Sequence, residues 1–266
     1  MTAYGTSRGP YRFWRLMAVG LRTHVLHLSR SGVELVMAVF SPLVYATLAV
    51  YLFRAGDHPD RLLQAAVGAG LMGVWSAVLF GAGGAIQEQR WMGTLETLVS
   101  APTRFSLVLM PITFATSLVG LYSLVATVVW GVVVFDVPFA PASPWLLAPA
   151  MLVCVVALGM MGILMAATFV LLRNANALAN ALDYPVWMFS GVLVSTASLP
   201  QWTRPITWVL PTSWAARAVQ AATGGGEVLR PSLVALGLGA GYVGLALIAL
   251  VWVERRARSA GTLTLT

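Results

Sequence analysis

The sequence predicts an all-α integral membrane protein with six transmembrane helices, and three observations predict it. Of 266 residues, 59% are hydrophobic and 9% charged, against about 25% charged in an ordinary soluble domain. The mean hydropathy is +0.82. Apolar runs of about 20 residues or more, the length a helix needs to cross a hydrocarbon core, recur six times. So little polar surface excludes a soluble enzyme. All 16 basic residues are arginine. That excludes a P-loop ATPase, which needs a phosphate-binding lysine, and lysine Schiff-base chemistry. Arginine-only usage is compatible with a high-GC bacterial genome. Cys154, the single cysteine, lies in an apolar run and can form no intrachain disulfide. The net charge of +7 does not point to nucleic acid, because the arginines are dispersed between apolar spans and not gathered with aromatics on a polar domain.

The elements follow in order along one polytopic domain, 1–266, with no linker or convincing repeat. In the segment 11–30, Trp14, Met17, Leu21, Val25 and Leu28 recur at helical spacing, with Arg12, Arg15 and Arg22 on another side. This is the pattern of an amphipathic helix lying in the membrane interface; a basic flank that only fixes topology is the plainer reading. The six spans are expected at about 33–53, 62–86, 105–135, 145–172, 176–196 and 232–253. Counting arginines with the N-terminus inside gives eleven on one side of the membrane and five on the other. The excess places both termini in the cytoplasm. The first apolar run has full spanning length, which argues against a cleaved signal peptide.

Charges within spans are costly, roughly 2.5–3.5 kcal/mol each on insertion scales. Glu34 and Arg173 fall at span ends, where that cost fades. Asp183 is about two turns into the fifth span, beside Tyr184 and Pro185. It lines an aqueous cavity, hydrogen-bonds a neighbouring helix, or relays protons. The second span repeats small residues at Ala65, Ala69, Gly73, Ala77, Gly81 and Ala85, which lets helices approach closely, within the subunit or beside a path. Gly237, Gly239, Gly241 and Gly244 in the last span carry the same two readings. His24, His27 and His58 have no ligand spacing with Cys154 or the acids, and Asp57-His58-Pro59-Asp60 reads as a solvated loop. No metal site and no catalytic residue is predicted.

Between spans two and three, residues 87–104 are too polar to span. At 100° per residue, Trp91, Met92, Leu95, Leu98 and Val99 share about a 120° stripe, opposite Arg90, Gly93, Thr94, Thr97 and Ser100. Pro102 ends the pattern. The segment 87–102 is expected to be a short amphipathic helix on the cytoplasmic surface, its apolar stripe anchored to the bundle and its polar side free. Glu88 near its N-terminus is favoured there by the helix dipole.

The run Glu88-x-Arg90-x-x-Gly93-Thr94-Leu95-Glu96-x-Leu98-x-x-x-Pro102 resembles the coupling-helix signature of ABC-2 type transporter permeases. Ser190-Gly191-Val192-Leu193, then Leu199-Pro200, Trp202, Leu210-Pro211-Thr212-Ser213 and Arg217, is similar to the family's stretch after its fifth span. The family often has Phe-Pro where this chain has Ser195-Thr196. The resemblance covers nearly the whole chain. For 197–231, broken by Pro200, Pro205 and Pro211 and bearing Trp202, Trp208 and Trp214, the residues alone leave a re-entrant segment and an interfacial loop open. The resemblance implies the former, with Leu199, Pro200, Leu210 and Pro211 at an outer gate.

The resemblance further implies the transmembrane subunit of an ABC exporter in the bacterial cytoplasmic membrane. Its partners would be two separate ABC ATPase subunits and a second copy of itself or a related permease. ATP and Mg would be bound by the ATPases, and this chain would hold no cofactor. An amphipathic drug, antibiotic or lipid-linked molecule suits the apolar, aromatic spans; polysaccharide or lipid-linked glycan is the alternative cargo. Met72, Trp75 and Leu79 of span two and Tyr184, Trp187 and Met188 of span five are the candidate path-lining residues. An ion-gradient-driven secondary transporter is the rival class, and it predicts acids in several spans, which the sequence lacks.

Overall fold

A computed structural model describes residues 10–30, 32–56, 61–93, 106–171, 175–192 and 200–260. Among them there is no strand. The helices are α1 (Pro10–Arg30), α2 (Gly32–Ala55), α3 (Leu62–Trp91), α4 (Ser106–Phe135), α5 (Pro144–Leu171), α6 (Ala175–Ser190), α7 (Arg204–Val209), α8 (Pro211–Gly224) and α9 (Leu229–Ala260). A 3₁₀ turn, Gln201–Thr203, precedes α7.

Five of these, α2, α3, α4, α5 and α9, are long and apolar enough to cross a membrane. The fifth expected span is the exception. α6 has 16 residues, about 24 Å at 1.5 Å per residue, short of the roughly 30 Å hydrocarbon core. Gly191 follows at φ +73°, a left-handed residue of the kind that ends helices.

α3 is the centre of the bundle, buried along most of its length and packed against α2, α4, α5 and α6. Its small residues explain how. A Cβ on Gly73 would meet Pro42 and Ser123, one on Gly81 would meet Thr116, and one on Gly120 of α4 would lie 2.9 Å from the Val74 Cα. Ser123 Oγ also donates to the Gly70 carbonyl across the helices, 3.2 Å. Gly73 and Gly81 of the small-residue stripe therefore serve packing within the subunit. In α9 only Gly239 meets a neighbour, Met160; Gly237, Gly241 and Gly244 have nothing within 4 Å. α2 is peripheral, with Val36, Phe40, Val44, Leu48 and Leu52 exposed every fourth residue, as on a lipid-facing stripe. α2, α4, α5 and α6 each contain one proline inside the helix, Pro42, Pro111, Pro149 and Pro185, whereas α3 contains none.

α1 forms where the periodicity predicts, with half-buried Met17, Leu21, Val25 and Leu28 on one face. Its course differs from a helix crossing the bundle at right angles. Gly20 abuts Pro111 closely enough that a Cβ would sit 2.9 Å from that ring's Cβ. Nine residues on, Ser29 Oγ lies 3.3 Å from Tyr122 Oη, eleven residues further along α4. Both contacts advance together, so α1 climbs alongside α4.

Candidate functional site

The signature segment begins at the C-terminal end of α3, and here the expected boundary is corrected. Gln87–Trp91 do not start a separate surface helix: they are the last turn and a half of α3, which is continuous from Leu62. The helix stops at Met92, whose N–H reaches the Glu88 carbonyl at 3.0 Å, and Gly93 follows at φ +67°. A left-handed residue closing a helix end is a role glycine fills without steric cost, and this is a physical reason for Gly93 in the signature. The anchoring stripe is corrected too. Trp91 is 79% exposed and Met92 is exposed with it, as is Glu88, because the helix runs on past the packed bundle. Thr94, Leu95, Glu96, Leu98 and Pro102 lie outside the described residues.

Arg90 turns the other way. Its Nη2 donates to the Val170 carbonyl at 2.6 Å and the Phe169 carbonyl at 3.3 Å, in the last turn of α5. Terminal carbonyls have no partner within their own helix, and a cation there also offsets the negative end of the helix dipole. The arginine thus ties the C-terminal ends of α3 and α5 together. The same device recurs at the other end of the bundle. Arg54, in the last turn of α2, donates to the carbonyl of Phe135, the last residue of α4, and its guanidinium lies 5.8 Å from the Phe135 ring centroid.

At mid-depth α3 meets α6 running antiparallel: Ser76 pairs with Asp183, and Gly68 abuts the Val192 carbonyl. Ser76 Oγ donates to Asp183 Oδ1 at 2.8 Å, so of the roles open to Asp183 the structure shows the hydrogen bond to a neighbouring helix. The six candidate path residues divide. Met72, Trp75 and Leu79 are buried in the core of the subunit. Tyr184 and Met188 are exposed, and Trp187 is half-buried between the two environments. Trp75 and Trp187 do line one small cavity, about 10 Å³, with Ser190 and Thr212. Trp75 Nε1, Trp187 Nε1 and Thr212 Oγ1 are buried without a hydrogen-bond partner among the described residues.

At the opposite end of the bundle the short, mostly exposed α7 leads into α8, which packs on α5, α9, α6 and α3. Pro211 is buried at the first turn of α8, where its missing N–H is harmless. Leu210 is buried, Pro200 caps the 3₁₀ turn in an exposed position, and Leu199 is outside the described residues. Trp214 Nε1 donates to the Trp208 carbonyl at 2.9 Å, and the Arg217 guanidinium lies 4.7 Å from the Trp214 ring centroid. Gln220 Nε2 donates to the Gly191 carbonyl at 2.8 Å, tying α8 to the end of α6.

Sequence reasoning missed Ser76 and the work of Arg54. A lone serine in a small-residue helix carries no signal of its partner, and Arg54 reads as loop charge. Among the described residues no group of three metal-ligating side chains occurs. A comparison with curated protein sequences gives no match. The family model described as ABC-2 type transporter matches residues 15–223, which takes in the signature segment, α6 and all but the last residue of α8. On a match over most of its length, the chain belongs to the ABC-2 type transporter family.

Proposed function

We propose that the chain is the permease subunit of an ATP-driven exporter in the bacterial cytoplasmic membrane. It spans six times, the short α6 serving as the fifth crossing by local thinning of the bilayer, with both termini inside, and moves an amphipathic drug, antibiotic or lipid-linked molecule outward. Two separate ATPase subunits bind ATP and Mg and supply the work, and a second copy or a related permease completes the path. The observation that carries the reading is the family match. It is supported by the inner end of α3, where exposed Glu88, Trp91 and Met92 project beyond the bundle while Arg90 fastens that end to α5.

In the cycle we infer, closure of the ATPases displaces the segment 87–102. Glu88 and Glu96 offer polar contacts to the motor, Gly93 sets the bend, and Leu95, Leu98 and Pro102 with Thr94 shape the segment beyond it. The displacement passes along α3 to the outer end, where Leu199–Pro200 and Leu210–Pro211 flank the gate.

The test is co-expression with an ATPase subunit encoded beside this chain, measuring stable association and ATP turnover. Glu96→Ala and Gly93→Pro are expected to alter turnover while the complex still assembles. A chain that binds no ATPase and moves its cargo on an ion gradient alone overturns the reading.

A further inference from the structure

Asp183 is 6% exposed, and it sits opposite Ser76, the middle of a membrane-length helix. Its carboxylate accepts the hydrogen bond from Ser76, and among the described residues no cationic side chain contributes to its surroundings. An ionisable group at that depth ordinarily has a partner or a ligand. What surrounds it is aromatic. Trp187, one turn along α6, has Tyr184 at 5.6 Å between ring centroids and Tyr45 of α2 at 6.4 Å. The Tyr45 hydroxyl is within electrostatic reach of both Tyr184 and Asp183. The cluster is open on one side, where Tyr184 is 58% exposed and Met188 of the next turn is exposed beside it.

A carboxylate behind a set of rings is suited to one ligand chemistry. Ring faces attract cations, most strongly where water is excluded, and aromatic cages recognise ammonium groups that cannot be bound through several oxygens. Calcium takes about six to eight oxygen ligands, mostly from the protein, more than this cluster offers. We propose that Asp183, Tyr45, Tyr184 and Trp187 form a recognition site for a lipophilic organic monocation, the charged group of an amphipathic cargo. The proposal rests on the transport reading above and narrows its cargo class.

The test uses the full chain in lipid nanodiscs and equilibrium dialysis with tetraphenylphosphonium. Tetraphenylborate, an anion of the same shape, is the control. Asp183→Asn keeps an acceptor for Ser76 and removes the charge. It is expected to weaken binding of the cation about tenfold while leaving the anion unaffected, and Tyr184→Leu, at an exposed position, about threefold. Asp183→Glu should retain most of the affinity. Thermal unfolding of each variant shows whether it folds; if Asp183→Asn does not, Tyr184→Leu decides. A wild-type chain that does not prefer the cation, or an affinity untouched by the folded variants, overturns the proposal. ATPase association is read separately: its retention when cation binding fails leaves the exporter standing, and its absence when cation binding holds leaves the site standing without the motor.

Discussion

Arg90 Nη2, in the last turn of α3, donates to the main-chain oxygen of Val170, in the last turn of α5, at 2.6 Å. Arg54 makes the matching contact from the end of α2 to the end of α4. In both cases a guanidinium from one helix satisfies terminal carbonyls of another. Arginine suits this task because its donors form a planar fork that can reach two oxygens together, as Arg90 does with Phe169 and Val170. Two of the sixteen basic residues therefore serve as fastenings as well as counting toward topology.

Arg90→Ala leaves those carbonyls without their charged donor. A charge-assisted hydrogen bond contributes about 1.5–3 kcal/mol, so thermal unfolding of the purified chain should fall by several degrees. Arg90→Lys should recover part of the loss, since a lysine can reach one oxygen as a point charge. Equal melting of all three proteins would show that the contact adds nothing.

Gly81 and Gly84 lie one turn apart on α3 and should respond oppositely to alanine. At Gly81 a Cβ runs into Thr116, whereas at Gly84 nothing lies within 4 Å. Gly81→Ala is expected to destabilise by about 1–3 kcal/mol through overpacking. Gly84→Ala should be neutral or stabilising by up to about 1 kcal/mol through helix propensity. Size-exclusion profiles and melting curves of the pair check both signs.

Gly93 has open space around its Cβ position but a φ of +67°, so any penalty there is conformational. Gly93→Ala should cost about 1 kcal/mol, and Gly93→Asn less, because asparagine tolerates the left-handed region. Parallel melts of the three proteins measure it. A penalty as large for asparagine as for alanine would mean that something besides φ fixes this position.

His24 on the packed face of α1 is held below the 6.5 of a free imidazole, first by burial and then by His27. The folded chain therefore binds fewer protons here than the unfolded one, so stability rises with pH. The contribution is fully present above 6.5 and is lost as pH falls through 6.5 toward the lower folded value. Melting temperature should drop between about pH 7.5 and 5.5, and His24→Gln should flatten part of that slope. An unchanged slope in the variant would assign the pH response to other groups.

Much of the fold is legible in the apolar runs, because a membrane helix announces itself by length. The expected second span, 62–86, and third, 105–135, meet α3 and α4 at three of their four ends. The fourth fails for a definite reason. Gln87, Glu88, Gln89 and Arg90 are polar, which reads as leaving the membrane, yet a helix continues through polar residues until something breaks it, and here that is Gly93. The α6 end at Ser190 was hidden in the same way, since Val192 and Leu193 extend the apolar run past the left-handed Gly191. Side-chain partners were the least readable. Asp183 was visible as a charge out of place, but Ser76, 107 residues earlier, carries no mark of being its donor.

The 30 residues of α3 make a rod about 45 Å long at 1.5 Å per residue. Proline removes a rung from the hydrogen-bond ladder and gives a helix a place to flex. α2, α4, α5 and α6 each have such a place; α3 does not. A sideways load on Trp91 would therefore meet no proline joint along α3, and the Arg90 contact to α5 is the tether beside it. Toward the other end of the same uninterrupted rod Gly68 stands against the Val192 carbonyl, one residue from the Gly191 carbonyl that holds Gln220 of α8, so the end of α6 is clasped between α3 and α8.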